Sequence, residues 1–181
     1  MGSKGEPSNM TPNLEWDIYF LKIAHTVGQH SKCLSRQIGA VLVKDKSIIS
    51  TGYNGPPAGI PHCDTRNENG EQECPRRLAG YESGEGLHLC IAGHAERNAV
   101  LNAAKMGICT NGTTLYCDCS VPCKDCLIEL INAGITTIVY NTFTWYSSSV
   151  YYDDISDWII ENSDLRVYGI DPSARQIVNL K

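Results

Sequence analysis

His94-Ala95-Glu96 and Pro122-Cys123-Lys124-Asp125-Cys126 stand one predicted helix and one predicted strand apart, and they restrict this chain more than any other feature. Cys123 and Cys126 are three residues apart at a helix start, so both thiols share one face. A helix N-terminus favours the thiolates that a metal ion requires. His94 opens another predicted helix and offers a neutral imidazole. Two thiolates and one imidazole leave a fourth tetrahedral position open, the mark of a catalytic rather than a structural zinc. Glu96, two positions from the histidine, is a carboxylate free to take a proton from water and hand it on. A closed structural site would need a fourth ligand, for which Cys90, Cys109, Cys117 and Cys119 are candidates. Redox pairing is the other common use of Cys-x-x-Cys. The two motifs together, each at a helix start, favour the catalytic site.

The 181 residues suit one domain over residues 11–181, after a polar tail at 1–10 that stays outside the fold. A formal charge of -5 with no basic stripe argues against a long nucleic acid as ligand. A small nucleotide needs only a few local cations and is not excluded. Nine cysteines with no secretory apolar segment read as metal or redox chemistry in a reducing, cytoplasmic compartment. No apolar stretch approaches the ~20 residues of a membrane span, so no membrane partner is expected.

Thr11-Pro12 resembles a helix start, and Trp16, Phe20, Ile23 and Val27 predict one buried stripe running to Gly28. Residues 38–43 and 48–53 are apolar runs joined by Lys44-Asp45-Lys46-Ser47, which suggests an antiparallel hairpin. Residues 55–92 break the pattern. They hold His62, Cys63, Cys74, His88 and Cys90 but no sustained period, and such an insertion is uncommon unless functional or stapled by metal. Helices are predicted at 94–106, 122–133 and 151–161, the first two stopped by Gly107 and Gly134, and strands at 113–119, 136–140 and 165–170. The alternation argues for an α/β fold: a mixed five-stranded sheet, its later strands parallel, covered by helices on both faces.

The ligand motifs run in order with Ser31-Lys32-Cys33, Gly39-Ala40-Val41, Gly52-Tyr53-Asn54-Gly55, Pro57-Ala58-Gly59, Asn98-Ala99, Ala103-Ala104-Lys105-Met106-Gly107 and Asn132-Ala133-Gly134-Ile135. That series resembles the cytidine deaminase superfamily, and within it the deoxycytidylate (dCMP) deaminases of bacterial and phage type. The resemblance implies a three-layer α/β/α cytidine-deaminase-like fold and hydrolysis of dCMP to dUMP and ammonia, supplying thymidylate synthesis. It implies zinc on His94, Cys123 and Cys126, and Glu96 as the proton shuttle to the ring nitrogen and the departing amine. It implies that Asn54 meets the sugar 3′-hydroxyl, besides stabilising a glycine-flanked turn. It places the Ala95 N–H at the base carbonyl and a carbonyl of Ser120 or Val121 at the leaving amine. Two features depart from the family pattern. One extra residue separates Tyr116 from Cys123, and Arg97 stands where an apolar residue is usual; it is either a solvated or subunit-facing charge or a phosphate contact.

Relatives of this type hold a structural zinc with residues that match Cys33, Cys63 and His88 here, Cys90 and Cys74 competing as fourth ligand. The resemblance further implies a homohexamer activated by dCTP and inhibited by dTTP, with Mg2+ on the triphosphate. Its effector site would use the loop of Gly52, Tyr53 and Gly55 and a neighbouring-subunit surface near Lys105. Trp145, Tyr146, Tyr151 and Tyr152 either flank the nucleotide or pack in core or subunit contacts. The competing functions are deamination of another cytosine or adenosine substrate, as nucleoside, tRNA or single-stranded DNA, and a non-catalytic nucleotide-sensing zinc protein. The acidic balance argues against the polymers, and Glu96 argues against the sensor, which has no need of a proton shuttle.

Overall fold

Helix α1 (Leu14–Gly28) starts two residues later than Thr11-Pro12 suggests. Its N-cap is Asn13, whose side chain accepts the Trp16 N–H at 3.3 Å. The computed structural model describes residues 12–65, 69, 73–82, 84–142 and 154–178. The aromatic group at 145–152 lies outside them.

Strands β1 (Gly39–Lys44) and β2 (Ser47–Tyr53) form the expected hairpin. Asp45 and Lys46 turn it with φ of 50° and 60°, the paired positive values of a tight two-residue hairpin turn. A short helix α2 (Pro75–Leu78) and one 3-10 turn (Leu87–Leu89) are the regular pieces of the described part of the insertion. Its ends are clasped by reciprocal backbone bonds between Gly55 and Gly93, at 3.2 and 2.8 Å. Then follow α3 (Ala95–Lys105), β3 (Thr113–Cys117), α4 (Lys124–Asn132), β4 (Ile135–Asn141), α5 (Asp154–Glu161), β5 (Arg166–Asp171) and β6 (Gln176–Val178).

The sheet order is β2-β1-β3-β4-β5-β6. The β3-β4-β5 block is parallel, as its intervening helices require, and the other pairings are antiparallel. The sheet thus has six strands where five were expected. The addition is β6, a three-residue edge strand too short to carry an alternating signal.

Alternation along the strands sorts the core into two layers. Ala40, Leu42, Leu115, Ile138 and Val167 face Ala99, Ala103, Leu127, Leu130 and Ile160, which come from α3, α4 and α5. Val41, Val43, Tyr116, Val139, Tyr168 and Ile170 face α1 through Ile18, Phe20, Leu21 and Ala24. The buried face of α1 is therefore rotated from the predicted stripe. Only Phe20 is shared with it at the centre, Ile23 and Val27 lie at its edge, and Trp16 is 37% exposed. Asp17 takes an inward position because two core tyrosines donate to it, Tyr116 at 2.9 Å and Tyr168 at 3.0 Å. Burial pushes its carboxyl above the ordinary carboxylate range despite those bonds.

Helix α3 and the edge strand β2 are fastened together by polar side chains of both. Asn98 donates to the Tyr53 carbonyl and Asn102 to the Thr51 carbonyl, each at 2.8 Å, and Ser50 donates to the Ala99 carbonyl at 2.7 Å. Carbonyls that an edge strand leaves open are thus satisfied by the helix that carries the site.

Candidate active site

His94 and Cys123 occupy the N-cap positions of α3 and α4, and neither side chain caps its own helix. Both ligand atoms are left free to point at one another across the gap. His94 Nδ1 lies 3.5 Å from Cys123 Sγ and 3.3 Å from Cys126 Sγ. A tetrahedral zinc with bonds of about 2.3 Å to sulfur and about 2.0 Å to nitrogen separates such atoms by about 3.5 Å, so this donor set fits the ion. Among the described residues no fourth Cys, His, Asp or Glu ligand atom joins these three within 4.8 Å. The two thiols are electrostatically unequal. Cys123 is pushed down to about 4, first by its hydrogen bond with Cys126 and also by His94, whereas that bond and burial push Cys126 up.

Glu96 is buried in the first turn of α3, at 4% exposure, and desolvation raises its carboxyl above the ordinary range. Beside it lie two thiols that the sequence offers only as spare metal ligands. Cys119 Sγ approaches Glu96 Oε1 to 4.0 Å, and Cys117 Sγ lies 3.1 Å from Cys119 Sγ. The loop that carries Cys119 and Ser120 is anchored by buried Asp118. Its backbone N–H donates to the Gly39 carbonyl, and its carboxylate takes His25 Nδ1 at 2.8 Å and Asn141 Nδ2 at 2.9 Å.

A cavity of about 100 Å³ opens onto this cluster. Asn54, His94, Ala95, Glu96, Ser120, Val121 and Cys123 all line it, so the expected substrate contacts converge with the expected ligands. Asn54 is held there by two backbone bonds: Oδ1 accepts the Ile38 N–H and Nδ2 donates to the Arg36 carbonyl, both at 2.9 Å. One N–H and one lone pair of that amide remain for a ligand. Ser35, Arg36 and Arg76 also line the cavity. No periodicity marks them; the Cys-Pro-Arg-Arg run around Arg76 was the only available signal. Arg97 grips Glu129 of α4 through Nε at 2.7 Å and Nη2 at 2.6 Å, which joins the two ligand-bearing helices.

The residues expected to hold effectors are not gathered at this cavity. Gly52 lies buried under α3, Tyr53 stacks edge-on with His30 at 5.0 Å, Gly55 pairs with Gly93, and Lys105 is exposed in the last turn of α3. The expected second-metal ligands are partly gathered. Cys33, Cys63 and Cys90 line a smaller cavity together with Cys74 and His62, while His88 packs edge-on against Tyr81 at 5.9 Å. Among the described residues no three of these ligand atoms come within 4.8 Å of one another. His62 Nδ1 is nonetheless buried without a hydrogen-bond partner, as an unfilled ligand would be.

A His/Cys/Cys triangle beside a non-ligand glutamate, on a layered sheet, is the arrangement of the zinc-dependent base deaminases. The cytidine and deoxycytidylate deaminase zinc-binding region matches residues 14–142, and the chain belongs to that family. It is 38% identical to the deoxycytidylate deaminase of Schizosaccharomyces pombe over 136 residues, covering 75% of this chain and 39% of the relative. It is 40% identical to the deoxycytidylate deaminase of Mycobacterium phage D29 over 131 residues, covering 70% of this chain and 94% of the relative. Against the two yeast relatives it matches, the chain spans less than half their length, at 39% and 44%. Among solved structures it is similar to the dCMP deaminase of the cyanophage S-TIM5 in complex with dCMP and dUMP. The TM-score is 0.64 at 25% identity, covering 88% of this chain and all of that one.

Proposed function

We propose that this chain hydrolyses dCMP to dUMP and ammonia at the cavity between α3 and α4. The observation that carries the reading is buried Glu96, set beside a three-ligand triangle at the wall of a cavity that Asn54 and Ser120 also line. Zinc held by His94, Cys123 and Cys126 supplies a Lewis acid that lowers the pKa of water to about 7. Glu96 takes one proton of the attacking water to the ring nitrogen, then carries that water's second proton from the resulting hydroxyl to the amine, which leaves as ammonia. The Ala95 N–H orients the base carbonyl, Asn54 the sugar 3′-hydroxyl, and the carbonyl of Ser120 or Val121 receives the amine. The S-TIM5 relative's complex with dCMP and dUMP supports the choice of nucleotide.

The proposal extends to a second, structural zinc over the cavity of Cys33, Cys63, Cys74 and Cys90, with His88 on the neighbouring turn. It extends also to a hexamer regulated by dCTP and dTTP with Mg2+, using Gly52, Tyr53, Gly55 and Lys105. Exposed Leu101 and Met106 flank Lys105 and support a subunit contact there. All nine cysteines are free, which supports a cytoplasmic setting; no helix among the described residues is long and apolar enough to cross a membrane. The test is loss of cytosine absorbance with dCMP, deoxycytidine, dCTP and a cytosine-containing oligonucleotide, each with and without dCTP or dTTP as effector. Turnover of the oligonucleotide but not of dCMP would end this reading.

A further inference from the structure

Arg76 is 5% exposed, and the described residues place no carboxylate within 4.0 Å of it. Neutral groups hold its guanidinium: Nη1 donates to the carbonyls of Glu82 at 3.3 Å and Glu85 at 2.7 Å, and Nη2 to Ser35 Oγ at 3.1 Å. Nε is buried and has no hydrogen-bond partner among the described residues. A buried cation without an anion is costly, and a buried unmade hydrogen bond adds to the cost. The Cys74 thiol feels this charge, but a thiol is a weaker counterion than a carboxylate or phosphate. The unfilled Nε lies on the same kind of guanidinium edge, Nε with Nη2, that in Arg97 grips both oxygens of Glu129. That edge matches an oxyanion in two-point geometry. Arg76 lines the same cavity as Glu96 and Asn54, and also the smaller one of Cys33, Cys63, Cys74 and Cys90.

We propose that Arg76, positioned by Ser35, is the anion-recognising residue of the cavity and takes the phosphomonoester of a nucleoside 5′-monophosphate. The assignment rests on the deamination reading above and deepens it: Arg76 makes the nucleotide, rather than the free nucleoside, the preferred ligand. The two carbonyls preorganise the side chain, since they tie it to Glu82 and Glu85. A net charge of -5 attracts no phosphate by itself, so discrimination has to come from a local, preorganised cation.

Binding of dUMP and of deoxyuridine is measured by calorimetry on zinc-loaded wild type, Arg76→Gln, Arg76→Lys and Ser35→Ala. Wild type is expected to prefer dUMP, and Arg76→Gln to lose about 10- to 100-fold of that preference. Arg76→Lys keeps the charge but not the fork, and together with Ser35→Ala it should lose an intermediate share. A purely structural role for Arg76 would weaken both ligands together and leave their ratio unmoved, which overturns the proposal. A wild type with no preference for dUMP overturns it as well. Should Arg76→Gln fail to fold, Arg76→Lys and Ser35→Ala decide, and full preference in both is the refuting result. If wild type prefers dUMP yet leaves dCMP unhydrolysed, the deamination reading falls while the phosphate assignment stands.

Discussion

Replacing Gly52 by alanine tests whether the docking of α3 on β2 sets the geometry of the site. A Cβ at Gly52 would lie 2.3 Å from the Ala99 nitrogen and 2.4 Å from the Ala95 oxygen, both helix backbone atoms. Ordinary contact begins at 3.4 Å, so the helix has to retreat by about 1 Å, and no side-chain rotation can absorb that. Overpacking of this kind costs about 1–3 kcal/mol. At this chain length that corresponds to a melting temperature lower by roughly 2–12 °C. The displaced turn carries Ala95, whose neighbours are His94 and Glu96. A 1 Å error at a reacting group lowers turnover by about 10²-fold. Thermal melts, zinc content and steady-state hydrolysis of dCMP without effector would measure the three consequences. A Gly52→Ala protein that melts and turns over like wild type would refute the packing argument. If that same protein had lost only its response to dCTP, Gly52 would belong to an effector loop instead.

Three further outcomes are expected. Glu96→Gln preserves shape but cannot shuttle a proton, so zinc content stays at the wild-type value while turnover of dCMP falls by about 10²–10⁴-fold; retained turnover would remove Glu96 from the chemistry. Cys126→Ser puts a hydroxyl that does not ionise in a fully buried ligand position, so elemental analysis should show loss of about one zinc equivalent per chain, with activity lost in parallel. Asp17 predicts a stability trend with pH. Burial raises its folded value above the ordinary 3.8, so the folded chain binds this proton more tightly than the unfolded one. That contribution is complete below about 3.8 and is lost as the pH rises through the raised folded value. Urea denaturation across the window should show wild type losing stability relative to Asp17→Asn as pH rises, and a difference that stays constant or grows would contradict the burial argument.

The parts of this fold that were legible in the sequence are those whose physics is local. Gly107 and Gly134 stop α3 and α4 with φ of 68° and 78°, values that favour glycine wherever a helix ends this way. The Cys-x-x-Cys spacing places two thiols on one face whatever the rest of the chain does. Reading failed where an unexpected partner reversed a local preference. Asp17 would face solvent on any amphipathic reading of α1, yet Tyr116 and Tyr168, 99 and 151 residues away, draw it into the core. Arg76 sits in an aperiodic insertion and meets Ser35 across 41 residues of chain. Asn98 belongs to a recognisable motif and Asn102 to none, but the work of both is to close carbonyls of an edge strand 45 and 51 residues earlier. Catalytic chemistry demands particular elements at particular spacings, so its residues announce themselves. The walls that exclude, orient and discriminate ask only for a donor in the right place, which many sequences could supply. On the proposed reading, the choice between nucleotide and nucleoside falls to residues such as Arg76, whose meaning depends on contacts that no periodicity records.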